Sequence, residues 1–398
     1  MRIAQCIEVP LFDHGGVEVL VRELIRELHP RGVETFLVTT IPLTKDQSAS
    51  LPGIMDVFVW CGENPPVEEA RRLSEWLKLN RVDLVHFHLG GTYAWWSRSW
   101  KNCPIPRLSR EGIRCVSTNH GAFSIFDCVA SSRPWWFKLM ALLPCWPSKL
   151  HQLTQVAWES TVSQHDFLAV RRWFFPMRRK FIQLYHSKLK GDEYTSPPPP
   201  AGPDVPSGPY ILCLGTVGIR KGQDYLVEAF LRLAGEAPGW TLVIAGRHGQ
   251  RVTVEKIERL LKESPHASRV LMLPHVSDGL AEELLRYAEV FAMPSLGEGL
   301  GLSLQEAMAA RKACAASAVG GIRDLIRDGA TGLLAKPGNT DDLARVLLRL
   351  INAPLLRERL GTNAALFIAD SRMNAQTMAS TYYNKYSETI KNASTSIR

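Results

Sequence analysis

Short apolar runs alternate with amphipathic stretches along the first part of the chain. Runs rich in Val, Ile and Leu predict strands, and apolar positions recurring every three to four residues predict helices between them. The predicted strands are residues 2–9, 34–40, 82–88 and 114–119, and the predicted helices are 17–28 and 66–79. Because the strands are apolar throughout and separated by helices, the pattern favours a parallel sheet covered on both faces.

The same alternation begins again after a proline-rich segment at residues 197–209. Strands are predicted at 210–214, 240–245, 269–273 and 290–293, and helices at 225–234, 253–264, 280–288 and 303–310. From residue 340 onward the pattern is helical, and the tail offers no strand that pairs with a sheet. We therefore predict an α/β protein with two Rossmann-like domains that face each other across a cleft, and a C-terminal helix that packs back on the first.

These patterns also predict the domain boundaries. Residues 1–196 form the N-terminal domain, and 197–209 form an extended linker. The C-terminal domain spans 210–365, and the helical segment 366–398 crosses back.

Composition and charge narrow the class of protein. Hydrophobic residues make up 45% and charged residues 22% of the 398 positions, which excludes a wholly disordered chain. The net charge of +8 is uneven, since residues 98–190 alone carry +11. Such a basic stretch indicates an anionic partner or an ordinary solvated face. The eight cysteines lack any C-x-x-C pair, and no apolar stretch is long enough to span a bilayer, so we expect a cytoplasmic protein without a disulfide framework.

The densest candidate chemistry follows the strand at 290–293. Glu298 lies in a glycine-rich loop, Gly301, Leu302 and Ser303 lead into a helix, and Glu306 lies one turn further on. A helix N-terminus offers unpaired N–H groups that suit a pyrophosphate, whereas the carboxylates suit sugar and ribose hydroxyls. The alternative is an ordinary turn followed by a surface helix.

A cationic pair follows the first strand of the same domain. Arg220 and Lys221 lie in the loop after residues 210–214, where they are well placed to neutralise a diphosphate leaving group. The glycines of this loop match neither the P-loop nor the dinucleotide fingerprint, which disfavours kinases and dehydrogenases.

These residues resemble a known family, the retaining glycosyltransferases of family 4, which have the GT-B fold. The spacing of Glu298 and Glu306 is similar to that family's E-x7-E motif, and the run from Glu298 to residue 339 resembles its donor site. In the first domain the resemblance is looser and depends on Gly15-Gly16, DLVHFH at 83–88 and His120-Gly121.

The resemblance implies that residues 1–196 bind the acceptor and that residues 210–365 bind the nucleotide-sugar donor, and it also implies a role for each matched residue. Glu298 would bind hydroxyls of the transferred sugar, Glu306 the ribose, and Lys221 the diphosphate, assisted by amides from Gly301 to Ser303. His120 would contact the sugar, and Gly15 and Gly16 would let the first helix approach the phosphate or acceptor. The implied enzyme is a hexosyltransferase-like, retaining and metal-independent transferase. It needs no cofactor, and a donor phosphate oxygen acts as the base.

One departure from the family pattern bears on activity. Thr216 stands where the family usually has arginine, and Arg220 is the candidate for the missing charge. A catalytically inactive relative that binds nucleotide sugars is therefore the alternative function. His86 and His88 are not expected to bind a metal, because we expect their side chains on opposite faces of the strand.

Aromatic residues coincide with the basic stretch. Ten of the eleven tryptophans precede residue 200, and 133–150 combines tryptophans with flanking Lys and Arg. This composition is typical of interfacial segments, so we expect peripheral association with the inner face of a membrane and a lipid-linked or glycan acceptor in polysaccharide biosynthesis. A buried aromatic cluster with a basic rim is the alternative, and no motif indicates nucleic acid.

Overall fold

The computed structural model describes residues 1–8, 10–12, 15–89, 103–120, 145–190, 194, 200–371 and 373–395. Two compact units divide the chain. The first unit comprises Met1–Lys188 together with Asn374–Arg398, and the second comprises Leu189–Met373.

The first unit is built on a parallel sheet of seven strands. Their order across the sheet is β3-β2-β1-β4-β5-β6-β7. The strands are β1 Arg2–Ile7, β2 Glu34–Thr39, β3 Ile54–Val59, β4 Leu84–Leu89, β5 Cys115–Asn119, β6 Glu159–Thr161 and β7 Phe181–Gln183. The helices are α1 Gly16–Leu28, α2 Lys45–Ala49, α3 Pro66–Leu79, α4 Ile105–Arg110, α5 Cys145–Gln155 and α6 Gln164–Trp173. Strands β4 and β5 are buried at every position, as expected for central strands covered on both faces.

The second unit has a parallel sheet of six strands in the order β10-β9-β8-β11-β12-β13. The strands are β8 Tyr210–Leu214, β9 Thr241–Ala245, β10 Val270–Leu273, β11 Val290–Met293, β12 Ala313–Ser317 and β13 Leu333–Ala335. The helices are α7 Gln223–Leu233, α8 Arg251–Lys262, α9 Asp278–Tyr287, α10 Leu302–Ala309, α11 Ile322–Leu325, α12 Thr340–Ile351 and α13 Pro354–Asp370. In each sheet the strand order reverses beside the first strand, and ligands of doubly wound folds bind at the carboxyl ends of strands at such a point.

The last helix, α14 Ala375–Thr395, belongs to the first unit although it follows the second in sequence. It packs on α1, and its Tyr382 and Tyr386 are fully buried beneath the first sheet's polar residues. The predicted architecture of two Rossmann-like units with a C-terminal helix that returns to the first is therefore confirmed.

Several strands escaped the sequence pattern. These are β3, β6, β7, β12 and β13. Strands β6, β7 and β13 have three residues each, and β12 consists of the small residues ACAAS. These four strands are therefore too short or too weakly apolar to give a clear strand pattern. Across the described residues, no helix has the length and hydropathy needed to cross a bilayer.

Candidate active site

Lys221 and Glu298 form an ion pair at the carboxyl ends of two adjacent strands. Lys221 ends a 3₁₀ turn after β8, and Glu298 lies in the loop after β11. The Lys221 Nζ atom lies 2.6 Å from Glu298 Oε2, and the Ser295 hydroxyl donates to the same oxygen at 3.3 Å. The lysine side chain keeps 28% of its surface exposed and the glutamate 10%, so the pair is partly open to a ligand. The structure thus brings together two predicted site residues that lie 77 positions apart in sequence.

Two glycines let the loops that carry this pair approach closely. Gly222 has a φ of +67°, and a Cβ there would lie 2.3 Å from the Pro294 carbonyl oxygen. Gly320 has a φ of +43°, and a Cβ there would lie 2.0 Å from the carbonyl oxygen of Glu298. Only glycine combines this left-handed conformation with so close a backbone neighbour. The requirement explains why glycines stand at these two positions.

A main-chain hydrogen bond also joins the two loops. The amide of Leu296 donates to the carbonyl oxygen of Arg220 at 2.8 Å. Because one loop carries Lys221 and the other carries Glu298, this bond fixes the backbones from which the two charged side chains project.

Electrostatics keep the Glu298 carboxyl ionised. Burial by itself raises its pKa, but the charges of Lys221 and Arg220 and the hydrogen bonds from Lys221 and Ser295 outweigh burial, so the pKa lies below its ordinary value. At neutral pH Glu298 is therefore a carboxylate that accepts hydrogen bonds and donates none. Arg220 is exposed, yet its charge acts on this carboxyl.

The other predicted residues of this unit lie at the start of α10. Gly301 precedes the helix, and Leu302 and Ser303 occupy its first two positions. The Ser303 hydroxyl lies 3.5 Å from the Leu214 carbonyl oxygen, at the limit of a hydrogen bond. Glu306 is half-buried in the second turn of the helix. The first turn has no side-chain cap, so its amides remain suited to an anion.

Thr216 stands in a tightly bonded loop. Its carbonyl oxygen accepts from Gln223 Nε2 at 3.2 Å, and its methyl group lies against Gly249, where a Cβ would overlap it. A packed threonine therefore fills this position, and the charges that act on the Glu298 carboxyl come from Lys221 and Arg220.

The predicted residues of the first unit lie at the carboxyl ends of its central strands. Gly15 and Gly16 begin α1 behind β1, and His120 follows β5 directly. The Glu18 carboxylate folds over Gly15, where a Cβ would overlap it, so the start of α1 already has an acidic neighbour. His120 is half-buried, its amide donates to the Leu89 carbonyl oxygen at 3.0 Å, and its Nε2 lies 2.8 Å from His88 Nδ1.

Sequence reasoning missed a cluster of buried polar side chains behind His120. We call it the histidine cluster, and its members are Gln5, His86, His88, Thr118, His120, Ser160, His186, Tyr382 and Tyr386. Burial lowers the pKa of all four imidazoles, that of His186 to about 3, so the rings are neutral at pH 7. The signal that could have revealed it is the placement of His86 and His88 two positions apart in β4, which puts both side chains on one face of the sheet.

The expectation that His86 and His88 point to opposite faces of β4 is wrong. Their ring centroids lie 4.1 Å apart, because residues two positions apart in a strand share a face. Hydrogen bonds to Gln5, Thr118, His120 and a tyrosine hydroxyl occupy the nitrogens of both rings. No group of three or more His, Cys, Asp or Glu side chains suited to a metal ion occurs among the residues that the structure describes.

The basic and aromatic stretch divides between burial and exposure. Trp158 is buried in the first unit, whereas Trp173 and Phe175 are 45% and 67% exposed beside basic residues. Those basic residues, all exposed, are Arg171, Arg172, Arg178 and Arg179. Buried and exposed aromatic side chains therefore both occur within this stretch. Trp95, Trp96, Trp100, Trp135 and Trp136, together with most of 133–150, lie outside the described residues.

Comparison with known families accounts for both units. The family model for glycosyl transferases group 1 matches residues 203–367, and the model for glycosyltransferase family 4 matches residues 14–147. The chain belongs to glycosyltransferase family 4. Lys221, Glu298 and Glu306 of this family member all lie within the residues that the group 1 model matches.

Among curated relatives, similarity is confined to part of the chain. The α-D-kanosaminyltransferase of Streptomyces kanamyceticus is 32% identical over 39% of this chain and 40% of its own length. The lipopolysaccharide core mannosyltransferase LpcC of Rhizobium leguminosarum is 32% identical over 46% of this chain and 54% of its own length. This family member thus matches only about half the length of these relatives, or less.

Solved structures share the fold along nearly the whole chain. A glycosyltransferase from Rickettsia africae matches with a TM-score of 0.75 at 17% identity, covering 98% of this chain and 99% of its own. HepE from Anabaena, solved with UDP and glucose, matches with a TM-score of 0.74 at 16% identity, covering 98% and 100%. At such identities the likeness establishes the GT-B fold of this family member.

Proposed function

We propose that the chain is a retaining glycosyltransferase that moves a sugar from a nucleotide-sugar donor to an acceptor hydroxyl without a metal ion or cofactor. The observation that carries the proposal is the Lys221–Glu298 pair, which places a cation and a carboxylate 2.6 Å apart beside an uncapped helix N-terminus. The cation and the helix N-terminus suit a diphosphate, and the carboxylate suits a sugar hydroxyl.

In this mechanism the donor's phosphates are bound by Lys221 and by the amides of Gly301, Leu302 and Ser303. The bond between the anomeric carbon and the leaving phosphate breaks, and the acceptor oxygen bonds to the same face of that carbon. The acceptor's proton passes to a phosphate oxygen of the departing diphosphate, whose growing charge Lys221 and Arg220 stabilise. Since the donor itself supplies the base, no protein carboxyl needs a raised pKa, which agrees with the ionised state of Glu298.

The remaining predicted residues orient the two substrates. Glu298 accepts hydrogen bonds from hydroxyls of the transferred sugar, Glu306 accepts from the ribose, and His120 contacts the sugar. Gly15 and Gly16 leave room for a phosphate or the acceptor at the start of α1. UDP-glucose is the first donor to test, because HepE was solved with UDP and glucose.

A thermal-shift panel of UDP-, GDP-, ADP- and dTDP-sugars tests donor binding, since a bound donor stabilises the fold by mass action. Turnover of the best donor is then compared between the unmodified chain, Glu298→Gln and Lys221→Met. Because each variant removes one electrostatic contact to the reacting sugar-diphosphate, we expect kcat to fall about 10²–10³-fold.

Lys262→Met, which removes an exposed lysine at the end of α8, is the matched control and should keep full turnover. The alternative, an inactive relative that only binds nucleotide sugars, predicts a thermal shift with no turnover even in the unmodified chain. Turnover that survives in both site variants would refute the proposed roles.

We further propose that the first unit docks on an anionic membrane, where it meets a lipid-linked or glycan acceptor of polysaccharide biosynthesis. Trp173 and Phe175 are large exposed apolar side chains flanked by four exposed arginines, as in interfacial segments. Each cation contributes about 1 kcal/mol near an anionic leaflet.

Flotation with phosphatidylglycerol-containing vesicles at low salt tests this proposal. The double variant Trp173→Ser/Phe175→Ser should stay at the bottom of the gradient, while Leu79→Ser, which alters an 82% exposed leucine elsewhere on the first unit, should float as before. An unmodified chain that does not float would refute membrane docking and leave the transfer reaction untouched.

A further inference from the structure

The histidine cluster forms one continuous chain of hydrogen bonds that ends at His120. Each neutral imidazole has one N–H donor and one lone pair, so a bond at one ring nitrogen dictates what the other nitrogen does. All members of this chain belong to the first unit. The direction of its bonds can therefore be followed atom by atom.

The direction is set at Gln5, a fully buried residue of β1 that lies opposite His86 of the neighbouring strand β4. Its side-chain oxygen lies 2.8 Å from His88 Nε2, and an amide oxygen only accepts, so the proton of His88 is on Nε2. His88 Nδ1 then carries a lone pair and accepts from His120 Nε2 at 2.8 Å. His120 must consequently hold its proton on Nε2, which leaves Nδ1 as a hydrogen-bond acceptor.

The opposite side of Gln5 leads to the C-terminal helix. The Gln5 side-chain nitrogen donates to the Tyr386 hydroxyl at 3.4 Å, and that hydroxyl lies 2.6 Å from His86 Nδ1. In this direction of the chain Tyr386 accepts from Gln5 and donates its own proton to His86 Nδ1. His86 Nε2 then donates to Thr118 Oγ1 at 2.7 Å.

Rotation of the Gln5 amide by half a turn would reverse every bond in the chain. It would place a donor against His88, move the His88 proton to Nδ1 and move the His120 proton to its Nδ1. The orientation of the buried Gln5 amide and the tautomer of His120 are therefore coupled, and the Tyr386 hydroxyl, which bonds the other end of the amide, belongs to the same coupled chain.

We propose that Gln5, His88 and Tyr386 are positioning residues that hold His120 as the Nε2–H tautomer and present its Nδ1 lone pair to a hydroxyl of the transferred sugar. This inference rests on the proposed role of His120. A hydroxyl or amine on the sugar can donate to this lone pair, whereas a group that only accepts, such as a carboxylate, is disfavoured there.

The test is nitrogen-15 NMR of histidine-labelled protein, which distinguishes protonated from bare ring nitrogens without any substrate. In the unmodified chain at neutral pH we expect His120 with Nε2 protonated and Nδ1 bare. In Tyr386→Phe and in Gln5→Met the chain is cut, so His120 should show both tautomers. Tyr383→Phe is the matched control, because this half-buried tyrosine of α14 has no side-chain hydrogen bond among the described residues.

Kinetics with the best donor give a second readout. Both cutting variants should lower kcat/KM about fivefold to tenfold, the value of one hydrogen bond, and Tyr383→Phe should not. A proton on His120 Nδ1 in the unmodified chain would overturn the inference, as would one unchanged tautomer in both cutting variants. If no donor is turned over, the proposed function fails while the tautomer is still measured, so the two failures are distinguishable.

Discussion

Replacing Gly320 with alanine should uncouple Glu298 from Lys221 without touching either side chain. The new Cβ would lie 2.0 Å from the Glu298 carbonyl oxygen, where ordinary contacts begin at 3.4 Å. The two backbones must therefore separate by more than 1 Å, and one of them carries Glu298.

Two costs follow from this geometry. Alanine at a φ of +43° costs about 1–2 kcal/mol of folding free energy, and relieving the overlap costs about 1–3 kcal/mol more. Because a displacement of about 1 Å at a reacting group can reduce turnover about 100-fold, we expect a loss of that order.

Gly239→Ala separates the two costs. Gly239 has a φ of +80° in the turn before β9, and a Cβ there would meet nothing within 4 Å. The variant should lose about 1–2 kcal/mol of stability and keep full turnover. Urea unfolding and steady-state turnover of the best donor measure both quantities. If Gly320→Ala matches Gly239→Ala in both assays, the backbone contact with Glu298 has no role in the site.

Three further predictions concern charge and pH. Lys149→Met breaks a fully buried ion pair in which Lys149 Nζ lies 2.6 Å from Glu159 Oε2, and it should lower the free energy of unfolding in urea by about 3–5 kcal/mol. Arg251→Ala, which breaks an exposed ion pair, should lower it by less than about 1 kcal/mol. Equal losses in the two variants would contradict the reasoning. Arg220→Met should raise the donor KM about tenfold, while Arg232→Met, which removes an exposed arginine of α7, should leave it unchanged. Lowering the pH from 7 to 5 should destabilise the fold by about 2 kcal/mol for each buried histidine of the cluster. The reason is that histidines of the unfolded chain take up protons below about pH 6.5, whereas the folded rings, whose pKa values burial lowers, do not. An unchanged urea midpoint at pH 5 would show that these rings are not buried as neutral groups.

Below about pH 4.5, carboxylates rather than histidines determine how stability changes with pH. The pKa of Glu298 lies below its ordinary value of 4.5, so the stability that this carboxylate contributes is present above that pH and lost as the pH falls further. Loss of stability between pH 6.5 and 4.5 therefore reports on the histidines.

Much of the second unit was evident in the amino-acid sequence. Strands β8 and β11 begin and end at the residues expected, because each is a short apolar run bounded by glycine, proline or charged residues. Resemblance to the family paired Lys221 with Glu298, and the structure brings them within 2.6 Å. The pairing was foreseeable because carboxyl ends of neighbouring parallel strands meet at one edge of a sheet.

The tertiary structure alone decided what lies behind His120. Gln5 and Tyr386 are 381 positions apart, and nothing local in either segment predicts that they bond. The buried pair of Lys149 and Glu159 was equally invisible, since charged residues are ordinarily expected at the surface. Period and composition report which face of an element is apolar, but which polar groups satisfy one another in the interior depends on how distant elements pack.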